Sequence, residues 1–372
     1  MTAHEQWLRA ALAEAEKAVG LSSPNPPVGA VVVRDGVIVG RGHTQPAGGA
    51  HAEVMALREA EEAAAGALLV CTLEPCAHTG RTGPCAEAII EAGVTEVAYA
   101  VTDPTDQAAG GHQRLVDAGL RVHPGLLREE AERGALRSWL FVQRAHRPYV
   151  IWKVAQSLDG QIAAADGSSR WITGAESRAA VHRLREQVDA ILVGAGTVRA
   201  DDPALTARVA DGSLRARQPL RVVLSSTGRL PAGSKVLDGQ VPTLIALGPG
   251  ASAEALQSLD RRGVQTWRSP SRRDEGVDLS ALLGTLGARG VLSVLVEGGP
   301  TVAGTFAGAG FIDEVQAYIA PKLLVSGMWP ALRGYGISSI SDALGLQIAD
   351  VKRSGEDVLL TAVRRDAEPE RK

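Results

Sequence analysis

The sequence predicts an α/β protein of two domains. Short β-branched apolar runs alternate with helix-period stretches along most of the chain, the pattern of a largely parallel sheet covered on both faces. At 372 residues the chain exceeds what a single hydrophobic core usually organises. A charged, proline-ended stretch at Arg144-Ala145-His146-Arg147-Pro148 separates two apolar patterns and divides the chain into 1–146 and 147–372.

In the first half, Glu5 to Val19 reads as an amphipathic helix stopped by Gly20 and followed by the Ser22–Pro27 loop. Val28–Val33 and Val37–Gly40 are β-branched strands joined through Asp35-Gly36, a two-residue hairpin signal. A helix over Glu53–Ala65, with His51 at its edge, leads to a strand over Ala67–Thr72. Another helix spans Pro84–Ala92, with proline at its start and Gly93 past its end. Val94–Val101 is a strand, Gln113–Ala118 a short helix, and a further strand lies near Arg121.

The second half opens on a strand from Tyr149 to Val154. Strands follow at Asp189–Val193, Leu220–Leu224, Thr243–Leu247, Ser293–Val296, Glu314–Ile319 and Val358–Val363. Helices over Glu176–Gln187, Ala253–Arg261, Leu279–Leu286 and Pro300–Ala309 connect them. The charged tail from Arg364 is expected to fray.

Composition narrows the function class. Apolar residues make up 45% and charged residues 22%, a globular balance. The net charge of −3, without a Lys/Arg tract, and 3% aromatics give no support for a nucleic-acid partner. No apolar run is long enough to span a membrane, and Met1–Val19 lacks the unbroken apolar core of a signal peptide. Three Cys leave no disulfide framework, so a reducing cytoplasm is expected. Forty-two Gly and many Ala suggest close helix–strand packing.

The chemistry is concentrated in His51-Ala52-Glu53, Pro75-Cys76 and Pro84-Cys85. One imidazole and two thiolates describe a zinc site with an open position, where the metal lowers the pKa of a bound water to about 7. Glu53, two residues from the ligand His51, is near enough to shuttle that proton. This is the His-x-Glu…Pro-Cys pattern of zinc deaminases acting on bases. A structural zinc is the competing reading, with His78 or Cys71 as fourth ligand, but it leaves the acid of His-x-Glu without a purpose. Nucleic-acid and nucleoside deaminases typically space their cysteines as Cys-x-x-Cys. Here eight residues, Ala77 to Pro84, intervene; Arg81 with two Gly either encloses a polar, phosphorylated ligand or belongs to a solvated, turn-rich loop, and the spacing alone fits both.

Other positions read less specifically. Gly298-Gly299-Pro300-Thr301 joins a strand to a helix, a start that binds phosphate through free N–H groups. Gly194-Ala195-Gly196-Thr197 lacks the third Gly of a dinucleotide fingerprint and equally fits a plain tight turn. Lys153 either finds a buried partner or ligand, or holds its head in water at a strand end. Trp171 stacks on a flat ring or fills core, core being favoured by composition. Arg185 reads as an exposed helix residue and Arg208 as a solvated loop charge unless a ligand claims them.

Pro24–Gly29, His51-Ala52-Glu53, Thr72–Cys76 and Gly80–Cys85 resemble the deaminase half of the bifunctional riboflavin-biosynthesis deaminase–reductase family. The resemblance continues through Asp103-Pro104 with Gly110-Gly111, Lys153–Gly160, Ser169–Thr173, Asp201–Thr206 and Glu297–Pro300, and so covers essentially the whole chain. It implies a cytidine-deaminase-like three-layer α/β/α domain followed by a dihydrofolate-reductase-like α/β domain. Zn²⁺ and NADPH are the implied cofactors, and a small phosphorylated pyrimidine the implied substrate, deaminated and then reduced from ribosylamino to ribitylamino. A homo-oligomer is expected.

Residue by residue, the resemblance gives zinc to His51, Cys76 and Cys85 and proton transfer to Glu53. It gives cofactor contacts to Ala155, Trp171, Thr197, Asp201, Ser226 and the run Gly299, Pro300, Thr301, Val302, Ala303, Gly304 and Thr305. Substrate contacts fall to Lys153, Ser169, Arg185, Leu205, Arg208 and Glu297, with the two Arg suited to phosphate. Two departures stand out: the family's usual Asp-Pro-Asn-Pro is Asp103-Pro104-Thr105-Asp106, and its Asp-Ser pair is Ser225-Ser226. A nucleoside- or tRNA-editing deaminase with an unrelated C-terminal domain and a zinc-stapled binding protein are the rival readings.

Overall fold

The structure, a computed structural model, describes residues 3–78, 83–106, 108–270, 276–334 and 336–365. Two compact units divide it, Met1–Arg147 and Pro148–Lys372.

The first unit begins with helix α1 (Ala3–Ala18), the hairpin strands β1 (Gly29–Arg34) and β2 (Val37–His43), and helix α2 (Ala52–Ala60). It continues through β3 (Leu68–Leu73), α3 (Cys85–Glu91), β4 (Glu96–Val101), α4 (Gly111–Asp117) and β5 (Arg121–Pro124). Helices α5 (Arg128–Arg133) and α6 (Arg137–Ala145), which the apolar pattern alone does not delineate, complete it. The sheet order is β2-β1-β3-β4-β5. It is mixed: β1 pairs antiparallel with β2 and β3, while β3, β4 and β5 run parallel. Asp35 and Gly36 both take positive φ (52° and 75°), the backbone that a two-residue hairpin with right-handed twist requires.

Strand parity explains the three layers. Gly29 and Gly42 sit on successive rungs of the β1–β2 ladder, Gly29 opposite His43 and Gly42 opposite Ala30, so they face opposite sides of the sheet. A Cβ on Gly29 would run into the α1 backbone at Ala11 and Ala15; one on Gly42 would run into the α2 backbone at Ala52 and Ala56. Helices therefore lie on both faces, each close enough to touch the strand backbone. The helix expected to run to Ala65 ends at Ala60 and tightens into a 3₁₀ turn over Glu61–Ala64.

The second unit contains β6 (Tyr149–Ser157), α7 (Ala175–Gln187), β7 (Ala190–Gly194), α8 (Ala195–Asp201), β8 (Leu220–Ser225), β9 (Thr243–Leu247) and α9 (Ala253–Asp260). Next come β10 (Gln265–Arg268), α10 (Leu279–Ala288), β11 (Ser293–Val296), α11 (Pro300–Gly308), β12 (Glu314–Ala320), β13 (Leu346–Ser354) and β14 (Asp357–Arg364). Its sheet order is β10-β9-β8-β7-β11-β6-β12-β14-β13. Every pairing from β10 to β12 is parallel, and the β13–β14 hairpin closes one edge antiparallel. Val150, Leu192, Val222, Leu244, Val294 and Phe306 are among the fully buried residues of its core. The sequence pattern missed the outermost strands β10 and β13, both largely exposed. Strands with little buried surface carry little apolar signal. Residues 366–372, most of the tail expected to fray, lie outside the described residues.

The close approach at Gly42 is testable. Gly42→Ala places a methyl against backbone atoms of α2 that cannot move unless the helix does, so it should destabilise the protein by about 1–3 kcal/mol. Because α2 carries His51 at its start, the zinc content of the purified variant should also fall. An unchanged melting temperature together with unchanged zinc would show that α2 does not depend on this contact.

Candidate functional site

In the first unit, His51 is the N-cap of α2, Cys76 follows β3, and Cys85 opens α3. His51 Nδ1 lies 3.3 Å from Cys85 Sγ and 3.6 Å from Cys76 Sγ. All three donor atoms lie within 4.8 Å of one another. Tetrahedral zinc with bonds of about 2.0–2.1 Å to nitrogen and about 2.3 Å to sulfur needs N···S separations of about 3.6 Å, so the donors are set at the distances the ion requires. The donor chemistry fits as well as the spacing.

Charge follows the same logic. The Cys76 thiol is drawn down to about 4, chiefly by the hydrogen bond from the Cys85 thiol and further by His51. Cys85, donating to Cys76, is held far above its ordinary value. The first N–H of α3, that of Cys85, also points at Cys76 Sγ (3.4 Å), and a helix N-terminus favours thiolate. The hydrogen bond with Cys76 raises the His51 imidazole.

Glu53, the second residue of α2 and buried, hydrogen-bonds the Cys85 thiol. Burial pushes its carboxyl up to about 7, against the lowering influence of His51. A carboxyl that titrates near neutrality can both accept and return a proton. Cys71 is not part of the cluster. It is fully buried in β3, bonds the Leu73 carbonyl (3.1 Å), and burial raises its thiol well above the usual range. Neither Cys71 nor His78 joins the donor set among the described residues. Of the loop between the cysteines, Thr79 to Thr82, including Arg81, lies outside the described residues.

Glu74 is a site residue whose role the sequence did not reveal. Its buried carboxylate accepts from the backbone N–H of Asp103 (3.3 Å) and of His112 (2.9 Å), tying the loop after β4 and the start of α4 to the Cys76 loop. Gly111 lets α4 approach, since a Cβ there would strike the Pro75 carbonyl. In the departed motif, Thr105 donates both N–H (2.8 Å) and hydroxyl (2.6 Å) to Asp103 Oδ1. An Asp followed two residues later by Thr or Ser is the readable signal for such capped loops.

In the second unit the centre is Glu297, just past β11. Arg185 grips it with two donors (Nε 2.7 Å, Nη2 2.8 Å), and Lys153 Nζ lies 3.4 Å away. Burial alone would raise this carboxyl; Arg185 and then Lys153 outweigh it and hold Glu297 well below the usual carboxylate range. Lys153 thus has the buried partner its strand position called for. Arg185 is not the exposed helix residue its pattern suggested: its third bond goes to the Thr206 carbonyl (3.1 Å). Arg208 is likewise pinned, to Thr206 Oγ1 (2.9 Å) and the Gly212 carbonyl (2.6 Å). Leu205 is buried in a left-handed turn.

The two glycine-bearing turns meet here. Gly299 N–H donates to Thr197 Oγ1 (3.1 Å), joining the starts of α8 and α11 at the ends of neighbouring strands. Gly194–Thr197 is therefore more than a tight turn, since α8 begins at Ala195. No side chain caps α11, and Pro300 at its start lacks an N–H, so the next N–H groups stay open at the strand ends where α/β folds bind phosphate-bearing cofactors. Within α11, Thr301 and Thr305 are exposed and Val302 is half-buried. Ala303 and Gly304 face the interior, with Gly304 against the Arg333 carbonyl. Ala155 is half-buried on β6, and Asp201, Ser169 and Ser226 are exposed. Trp171 corrects the expectation of a core residue: it is 65% exposed, with the Arg178 guanidinium 4.4 Å from its ring centre and Lys322 holding its carbonyl (2.8 Å).

Comparison with known proteins resolves the family. Residues 148–360 match the RibD C-terminal domain, and residues 1–101 match the cytidine and deoxycytidylate deaminase zinc-binding region. The riboflavin biosynthesis protein RibD of Mycobacterium tuberculosis (strain H37Rv) is 47% identical, with 93% of each chain covered. This chain belongs to the RibD family of riboflavin-biosynthesis proteins. It carries a zinc-binding deaminase domain followed by a reductase domain, in that family's order. The Escherichia coli (strain K12) RibD is 40% identical over 96% of this chain and 99% of its own. A solved Acinetobacter baumannii RibD superposes with a TM-score of 0.86 at 35% identity, covering 98% of this chain and 99% of that one. A Thermotoga maritima diaminohydroxyphosphoribosylaminopyrimidine deaminase/5-amino-6-(5-phosphoribosylamino)uracil reductase superposes at 0.83 with 32% identity, covering 98% and 99%. No helix among the described residues is long and apolar enough to cross a membrane.

The Glu297 cluster yields a stability prediction. Glu297→Gln leaves Arg185 and Lys153 buried against a neutral partner, which should cost about 3–5 kcal/mol at pH 7. The folded carboxyl titrates below its unfolded value of about 4.3, so its contribution is complete above that pH and declines as pH falls towards the folded value. Urea unfolding should therefore show the gap between wild type and variant narrowing once the pH drops below about 4. A gap independent of pH would mean that Glu297 stabilises the fold through shape alone.

Proposed function

We propose that the first unit deaminates 2,5-diamino-6-ribosylamino-4(3H)-pyrimidinone 5′-phosphate and that the second reduces the ribosyl side chain of the resulting 5-amino-6-(5-phosphoribosylamino)uracil to ribityl. The observation that carries the reading is the three-donor cluster with a buried carboxyl two residues from its histidine. It is supported by a second unit whose buried carboxylate lies between two cations near two uncapped helix starts.

His51, Cys76 and Cys85 hold zinc, which when bound supplies a water activated at neutral pH. Glu53 takes the proton of the attacking water and returns protons to the ring nitrogen and to the departing amine, so water is consumed and ammonia leaves. Its burial keeps the carboxyl matched to that exchange. Glu74 and Gly111 hold the walls of the site without touching the reacting atoms.

Gly299, Pro300, Thr301 and Val302, with Thr197, Asp201, Ser226, Ala155 and Trp171, form the NADPH face; Thr305 extends it one turn further, and Ala303 and Gly304 serve by letting α11 pack closely. NADPH, when bound, supplies the hydride. Lys153 and Glu297 contact the sugar, Arg185 keeps Glu297 oriented, and Arg208 with Ser169 and Leu205 shapes the phosphate end. A small phosphorylated pyrimidine is thus the partner, with no role for nucleic acid or membrane, in a cytoplasmic homo-oligomer.

Two substitutions separate the sites. Glu53→Gln should lower ammonia release by at least about 10²-fold while zinc content and NADPH-dependent reduction persist. Loss of metal or of both activities would contradict separate sites. Lys153→Ala should impair NADPH consumption with the deaminated substrate by about 10-fold or more and leave ammonia release unchanged, a loss of about 1.4 kcal/mol or more of transition-state stabilisation. Unchanged reduction would remove Lys153 from the substrate site.

A further inference from the structure

Three ligand-type side chains converge at the start of β4, the end remote from the catalytic loops. Glu96 is the first residue of β4, His123 lies on the edge strand β5, and His4 lies in the first turn of α1. His123 Nε2 stands 2.9 Å and His4 Nε2 3.2 Å from the same oxygen, Glu96 Oε1. The two rings lie 5.1 Å apart, centre to centre. Asp103, which belongs to the catalytic loops, lies beyond the other end of β4, about 20 Å away at strand rise. None of the chemistry above uses these residues.

We propose that His4, Glu96 and His123 form a second metal site, taking a borderline divalent cation such as Zn²⁺ or Ni²⁺. The three donor atoms lie within 4.8 Å of one another. Nitrogen and oxygen ligands of a tetrahedral ion stand about 3.3 Å apart, so the cluster needs to open only slightly around the cation. Two imidazoles with one carboxylate oxygen select ions that favour nitrogen over calcium and magnesium, which favour oxygen. Arg121 Nη2 bonds the other carboxylate oxygen, Oε2, at 2.6 Å. That bond leaves Oε1 for the cation and keeps the carboxylate ionised, while its positive charge disfavours cations that make no bond to imidazole. On binding, the cation takes the place of the direct contacts between the imidazoles and Oε1. All three side chains are partly open to solvent, so water completes the coordination.

The consequence is structural. β5 has β4 as its one sheet neighbour, and the ion would clip the start of α1 to both strands. The test uses the full-length protein with its catalytic zinc in place, equilibrated by dialysis against micromolar free Zn²⁺. Wild type should retain about two zinc ions per chain, and His4→Ala and His123→Ala about one each, with ammonia release unchanged. Added Ni²⁺ should raise the melting temperature of wild type and leave that of both variants unmoved. Retention of one zinc by wild type, or of two by both variants, would overturn the proposal. So would an equal Ni²⁺ shift in all three proteins.

Discussion

Backbone must touch backbone for either site to exist, and side-chain-free positions are where that happens. α2 rests on β2 at Gly42, α4 rests on the Cys76 loop at Gly111, and α11 rests on the Arg333 segment at Gly304. At each, an added Cβ would strike a carbonyl oxygen or its neighbours rather than a side chain able to turn away. Helix starts carry the chemistry in both units: His51 caps α2, Cys85 opens α3, and Gly299 caps α11. A helix held one ångström further from its strand would bring its first residues to the wrong distance from the next loop. Donors spaced for zinc tolerate little such error. The abundance of Gly and Ala is thus part of the catalytic design as well as of the packing.

The two units meet the cost of buried charge differently. In the first, acidic protons are shared: one thiol is lowered, its partner raised, and a carboxyl is lifted towards neutrality. In the second, one carboxylate faces two cations and stays ionised. Lys153 and Arg185 against Glu297 leave one positive charge in excess, a suitable bias for an anionic ligand. The first arrangement suits a cation, and the second, with its excess positive charge, suits an anion.

Much of this was legible in the sequence, for reasons that can be stated. The Asp35-Gly36 hairpin, the His51–Cys76–Cys85 donors and the apolar parallel strands depend on local pattern, and local pattern is what sequence records. Misread features depend on partners distant in the chain. Arg185 meets Glu297 across 112 positions, Glu74 meets His112 across 38, and the carbonyl of the exposed Trp171 meets Lys322 across 151. The edge strands β10 and β13 went unread because a mostly exposed strand has no apolar alternation to detect. α5 and α6 were missed for a related reason: short helices near a boundary bury few residues.

At the two departures from the family pattern, the residues present close their own turns. Thr105 donates through both its N–H and its hydroxyl to Asp103 Oδ1, closing the loop by bonds of the kind an amide side chain makes. Ser225, where an acid is usual, is buried, and its hydroxyl accepts the Gly228 N–H at 3.0 Å. A carboxylate there could accept the same bond but would bring a buried negative charge that needs a counter-ion. The hydroxyl keeps the turn after β8 closed without that requirement, and Ser226 beside it stays exposed at the strand end. What each motif must supply is an acceptor or a donor at one place in a turn, and more than one residue type can supply it.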